Sequence, residues 1–139
     1  MRAKPKKSLG QNWLVDNNIR NKILSSCSFG TDDIVFEVGS GKGEITRLIA
    51  EKVKQVYALE IDARLFPELN NNLIQSNNVK IFQGDILEFD LLENLKPGKD
   101  KIKVFGNIPY YISSPIIEYL INYRTNISEI YLTTQKEFA

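Results

Sequence analysis

Apolar residues follow two rhythms that alternate along this chain. Short unbroken runs, Ile34–Val38, "QVYALEID" from Gln55 and Val79–Gln83, read as buried strands, and "IKVFGN" from Ile102 and "EIYLTT" from Glu129 complete a set of five. Between them, apolar positions recur at helical spacing. Asp16 to Ser25 carries Ile19, Ile23 and Leu24 behind a capping Asp16, and "EITRLIAEKV" puts Ile45, Leu48, Ile49 and Val53 on one face. "ARLFPELNNNLIQ" predicts a helix with Pro67 in its first turn, and "SSPIIEYLIN" one capped by Ser113 or Ser114 with Pro115 at the first helical position. "KPGKDK" is a turn-rich loop. Strands alternating with helices predict an α/β fold: right-handed crossovers and a parallel sheet with helices on both faces. In such folds ligands bind beyond the carboxyl ends of the strands, where strand order reverses.

Length adds a bound: 139 residues suffice for one domain with a core, taken as 1–139, and are too few for two. A single cysteine, Cys27, rules out an internal disulfide and fits a reducing, cytoplasmic setting. No apolar run is long enough to span a bilayer, and no signal-peptide pattern opens the chain. Histidine is absent, which removes His-based general bases, catalytic triads and His-rich metal sites. Net charge is +1, although Arg2, Lys4, Lys6 and Lys7 crowd the amino terminus as a basic arm.

The chemistry gathers where strands end. The first strand runs into "EVGSGKGE", whose Gly39, Gly41 and Gly43 allow positive φ and close backbone approach to a ligand. Glu44 stands where a dinucleotide fingerprint needs its last glycine, and Gly43 where a P-loop needs Ser or Thr. Glu37 and Glu44 would repel a polyphosphate, so a ligand without phosphates is expected. Alone, such glycines make only a tight β-to-α turn. Glu60, ending the second strand, is placed to accept both hydroxyls of a ribose, and Asp85, after Gly84, to accept from a purine amine. A lone acid at a strand end is usually a helix cap; the three tips together outline a nucleoside pocket. The fourth strand ends in "GNIPYYIS", an amide, a locked proline and two adjacent tyrosines.

"KKSLGQNWL", "EVGSGKG", "LEID", "QGDIL" and "GNIPYYIS" together resemble the rRNA adenine N6-dimethyltransferases, over Lys6 to Ala139. The resemblance implies a Rossmann-like class I fold and S-adenosylmethionine as cofactor. It implies cofactor contacts from Asn12, Leu14, Gly39, Gly41, Glu60, Ile61, Asp85, Ile86 and Asn107. Asn12 and Leu14 would close over the methionine and ribose end, and Ile86 would lie beside the adenine ring. Catalysis would fall to Asn107, Ile108, Pro109 and Tyr110: two oxygen acceptors for the target amine, a fixed turn and a stacking ring.

Within this resemblance Tyr111 departs from the common Asn and Trp13 from the usual Phe. Ser40 with Lys42 is similar to the macrolide-resistance enzymes of the large subunit, whereas "SLGQN", Pro115 and "QKE" are similar to the small-subunit enzymes. The resemblance implies dimethylation of two adjacent adenines near the 3' end of small-subunit rRNA as the leading expectation, with large-subunit rRNA as the alternative. A relative that binds nucleic acid without chemistry, and a methyltransferase for another amine, are the further alternatives. The family pattern has seven strands and a helical rRNA-binding domain, so the chain is expected to be a fragment cut after about the fifth strand. That strand should be an unprotected edge, and the fragment weakly stable and poorly active. Expected partners are rRNA and the pre-ribosomal small subunit, with no metal, no membrane, and a monomeric full-length protein.

Overall fold

In the computed structural model, which describes residues 16–133, the five apolar runs form strands β1 (Ile34–Val38), β2 (Gln55–Glu60), β3 (Val79–Gln83), β4 (Ile102–Asn107) and β5 (Ile127–Thr133). They pair in the order β3-β2-β1-β4-β5, every pair parallel. The chain steps outward from β1 through β2 to β3, then crosses to the other flank for β4 and β5. Strand order therefore reverses between β1 and β4, and all five carboxyl ends share one edge of the sheet. Among the described residues β3 and β5 are the sheet's edges, as expected for β5.

Period-2 alternation sends the strand side chains into two cores. Phe36, Val38, Leu59, Ile102 and Val104 meet Ile86, Leu91, Leu95, Ile116 and Leu120 on one face. Val35, Val56 and Phe105 meet Leu24, Ile49, Ala50 and Val53 on the other. Phe36 and Ile49 are wholly inaccessible, and burying a side chain of that size contributes about 1.5–3 kcal/mol. Both faces being covered explains why the strands read as continuous apolar runs.

The helices are α1 (Asn17–Ser25), α2 (Glu44–Ala50), α3 (Phe66–Asn72), α4 (Leu91–Leu95) and α5 (Ser113–Ile121). Asp16 caps α1 as predicted, accepting from Asn18 and Ile19 amides, and Pro67 does sit in the first turn of α3. Four boundaries differ from expectation. Helix α2 stops at Ala50, and Val53 reaches the core from the turn that follows. A 3-10 turn occupies Ala63–Leu65 and α3 ends at Asn72, short of the expected span. Helix α5 takes Ile112 as its N-cap, and Ser113 is already helical, its hydroxyl donating back to the Pro109 carbonyl at 3.1 Å. Pro115 is thus the third helical residue, tolerated because first-turn N–H groups have no intrahelical partner. Strand β5 begins at Ile127, two residues early; Thr134 lies outside the described residues. Helix α4, which the pattern reading passed over, is capped by Asp90 accepting from Glu93 N, with Leu91 and Leu95 buried four residues apart.

Candidate cofactor and target-base site

The turn after β1 folds onto the end of β2: the amides of Gly39 and Ser40 both donate to the Leu59 carbonyl, at 2.9 and 3.1 Å. Gly43 enters α2 at φ +84°, and a Cβ there would stand 2.7 Å from Leu69 Cδ1 of α3. Only glycine permits that backbone and that approach together. Gly41, at φ +60°, faces open space instead, since a Cβ would meet nothing within 4 Å. The Ser40 hydroxyl is buried with no hydrogen-bond partner among the described residues.

Two buried carboxylates stand beneath this turn. Glu60, 4% exposed at the tip of β2, accepts from the Gly41 amide at 2.7 Å on Oε1 and from the Asp62 amide at 2.9 Å on Oε2. A carboxylate has about four acceptor sites, so Glu60 keeps capacity for a hydroxyl donor beside its backbone amides. Burial raises its pKa against the opposing effect of those amides. Glu37, 2% exposed, accepts from the Thr46 hydroxyl on α2. Desolvation, above all, pushes it up to about 7, with the nearby Glu60 charge adding to the rise. Glu37 was expected only to repel phosphate; its bond to Thr46 also ties β1 to α2.

At the β3 tip, Asp85 accepts from the Leu87 amide at 3.0 Å and so caps a 3-10 turn, Ile86–Glu88. Its second carboxylate oxygen leaves the purine-amine role chemically available. Ile86 is buried in the core with Phe36 and Leu91, while Ile61 is exposed.

Across the switch point, the β4 tip ends at Asn107. The Asn107 carbonyl would lie 3.9 Å from a Cβ on Gly39, so this tip and the glycine turn are neighbours. Asn107 Oδ1 accepts from the Thr133 hydroxyl at 2.6 Å, and the Ile108 amide donates to the Thr133 carbonyl at 3.3 Å. Pro109 follows, its carbonyl accepting from Ile112 N and Ser113 Oγ. Tyr110 opens the 3-10 turn Tyr110–Ile112; the stacking expected of its ring lies outside the described residues. So do Asn12, Leu14 and the basic arm. The structure therefore brings Gly39, Gly41, Glu60, Asn107 and Ile108 to adjacent tips, with Asp85 one strand further out.

Thr133 was missed because its link to Asn107 depends on cross-strand register. A match of Asn107 with Thr133 across β4 and β5 is not written in either segment alone. Ser40 was noted only as a family marker.

The residues present fit an S-adenosylmethionine molecule. An anchored carboxylate with spare lone pairs, open space beside Gly41 and an orphaned buried hydroxyl suit a polyol-bearing ligand without phosphates. No cluster of metal-binding side chains and no helix long and apolar enough to cross a membrane occurs among the described residues.

The chain is 42% identical over 137 residues to "Ribosomal RNA small subunit methyltransferase A" of Syntrophus aciditrophicus, covering 98% of this chain and 49% of that protein. It is 41% identical over 137 residues to the protein of the same description from Streptococcus thermophilus, covering 96% and 47%. The chain spans about half the length of the curated relatives it matches. Among solved structures, a dimethyladenosine transferase from Plasmodium falciparum superposes with a TM-score of 0.77 at 32% identity, covering 91% of this chain and 44% of the other. The 23S rRNA methyltransferase ErmE does so at 0.78 and 30%, covering 91% and 49%. The fold is thus that of the Rossmann-like class I methyltransferases. The family model "Ribosomal RNA adenine dimethylase" matches residues 2–139, and the chain belongs to that family.

Proposed function

We propose that the protein carrying this chain transfers methyl groups from S-adenosylmethionine to adenine N6 in rRNA, twice per base. The target in this reading is two adjacent adenines near the 3' end of small-subunit rRNA. One observation carries it: Asn107, an oxygen acceptor, sits at the β4 tip directly beside the glycine turn, on the switch point. An exocyclic adenine amine is a poor nucleophile because its lone pair is delocalised into the ring. Accepting its hydrogens on Asn107 Oδ1 and the Ile108 carbonyl localises that pair on nitrogen, and Pro109 fixes the turn presenting the carbonyl. The bound cofactor supplies an already activated methyl group. Asn107 and Ile108 then need only align and stabilise, which suits a chain without histidine. Glu60 would hold the ribose hydroxyls, Asp85 and Ile86 the adenine end, and Asn12 and Leu14 the methionine end. Tyr110 would stack on a base drawn out of its helix.

The small-subunit reading is favoured by relatives at 41–42% identity described as small-subunit enzymes. The large-subunit reading rests on the ErmE likeness at 30%. The test incubates the whole protein and labelled donor with small- and large-subunit rRNA lacking the modification, followed by mass spectrometry for dimethyladenosine. Label is expected in small-subunit rRNA; label confined to large-subunit rRNA overturns the assignment. Asn107→Ala should lower the rate at least about a hundredfold, a loss of roughly 3 kcal/mol of transition-state stabilisation. Affinity for the demethylated cofactor should stay within about threefold. A variant that labels at the parental rate would remove Asn107 from the chemistry.

A further inference from the structure

We propose that Thr133 is a positioning residue: its hydroxyl holds the Asn107 amide so that oxygen, rather than NH2, faces the target amine. This rests on the methyl-transfer reading above. An asparagine amide rotates between two nearly equivalent terminal orientations. Only one offers an acceptor to an amine that has hydrogens to give; the other sets donor against donor. Thr133 is matched with Asn107 in the β4–β5 register, so both side chains leave the same face of the sheet. The Thr133 hydroxyl donates to Asn107 Oδ1 at 2.6 Å, within the range of an O–H···O bond. An amide oxygen has two lone pairs, so a hydroxyl on one is compatible with an adenine N–H on the other.

The two residues below reinforce the clamp. Phe105 and Tyr131 are matched one step earlier on that face, both against Phe29 at centroid distances of 6.4 and 5.5 Å. The Tyr131 hydroxyl also takes the Ser28 amide at 3.1 Å. The strand beneath Thr133 is thereby tied to the rest of that face, and the hydroxyl is presented from a supported backbone. The Ile108 amide bonds to the Thr133 carbonyl as well, so both proposed acceptors are set by one residue of β5.

Thr133→Val keeps the β-branched shape and removes only the hydroxyl; Thr133→Ser keeps the hydroxyl. Both are made in the whole protein beside Asn107→Ala, with kcat measured on rRNA and affinity measured calorimetrically with S-adenosylhomocysteine. Thr133→Val should lower kcat about five- to tenfold, the scale of one lost hydrogen bond. Its cofactor affinity should stay within about twofold, and Thr133→Ser should restore most of the rate. Equal loss in the Val and Ser variants, no loss in Val, or a parallel fall in cofactor affinity each overturns the proposal. If the parent protein transfers no methyl group to rRNA, the methyl-transfer reading falls instead, and if Asn107→Ala keeps the parental rate it is the role of Asn107 that falls, so the failures are told apart.

Discussion

On the β1–β2–β3 flank the strand tips are held by backbone and buried charge. Glycine amides lie on the Leu59 carbonyl, the Gly41 amide lies on Glu60, and Glu37 is sealed under α2. On the β4–β5 flank the tips are held by neutral side chains, with Thr133 on Asn107 and Ser113 on Pro109. The first arrangement keeps Glu37, Glu60 and Asp62 out of water, and burial disfavours the charged forms of Glu37 and Glu60. The second carries neutral amide, carbonyl and hydroxyl groups as its acceptors and clamps. Sensitivity to pH should therefore reside in the stability of the first flank, proposed to hold the cofactor, while the proposed alignment of the target falls to the other.

The heaviest blow to the cofactor flank is Gly43→Ala. Left-handed backbone costs a residue with a Cβ about 1–2 kcal/mol, and the 2.7 Å approach to Leu69 adds overpacking of about 1–3 kcal/mol. A loss of about 3 kcal/mol in urea unfolding is expected, against about 1 kcal/mol for Gly41→Ala, which shares the backbone but faces open space. Equal losses would mean that the leucines of α3 yield freely.

Next comes pH. Glu37 has a folded pKa of about 7, raised from 4.5, so the folded state binds the proton more tightly than the unfolded chain. Its contribution to stability is complete below about pH 4.5 and is lost as pH rises through about 7. The full loss is about 3–4 kcal/mol, from roughly 2.5 pH units at about 1.4 kcal/mol each. Glu60 is displaced in the same direction. Unfolding midpoints compared at pH 5 and 8.5 should fall less in Glu37→Gln than in the parent; matching slopes would place the sensitivity elsewhere.

The smallest effect tests the join between the flanks. Tyr119 on α5 donates to the Phe89 carbonyl, and the Phe89 ring stacks on Phe36 of β1 at 5.3 Å. Tyr119→Phe should cost about 1 kcal/mol. A neutral result would show that ring stacking alone holds α5 against the segment that carries Asp85.

The strands were legible because burial on both faces leaves unbroken apolar runs such as Ile34–Val38, and because Gly39 and Gly84 break them sharply. Asp16 and Pro67 marked helix starts through local chemistry that needs no partner. What escaped notice depended on partners far along the chain or on very short elements. Helix α4 spans five residues, too few for a period to show. Ser113 looked like a cap, but its hydroxyl serves the Pro109 carbonyl instead. Glu60, Gly39 and Asn107 were legible as tip residues. Thr46, as the partner of Glu37, and Thr133, as the partner of Asn107, emerged only once α2 was laid on β1 and β5 beside β4.

Placing β1 at the centre of the sheet also has a temporal side. Ile34 pairs with Ile102, yet by the time Gln83 completes β3, 24 residues remain before Asn107 ends β4. At about 5–20 residues per second, a ribosome takes roughly one to five seconds over that interval. Throughout it the nascent three-stranded half shows a bare central edge rich in valine and phenylalanine, the kind of surface that recruits other chains. Slowing translation between α3 and β4 should therefore increase aggregation even where the finished molecule is stable.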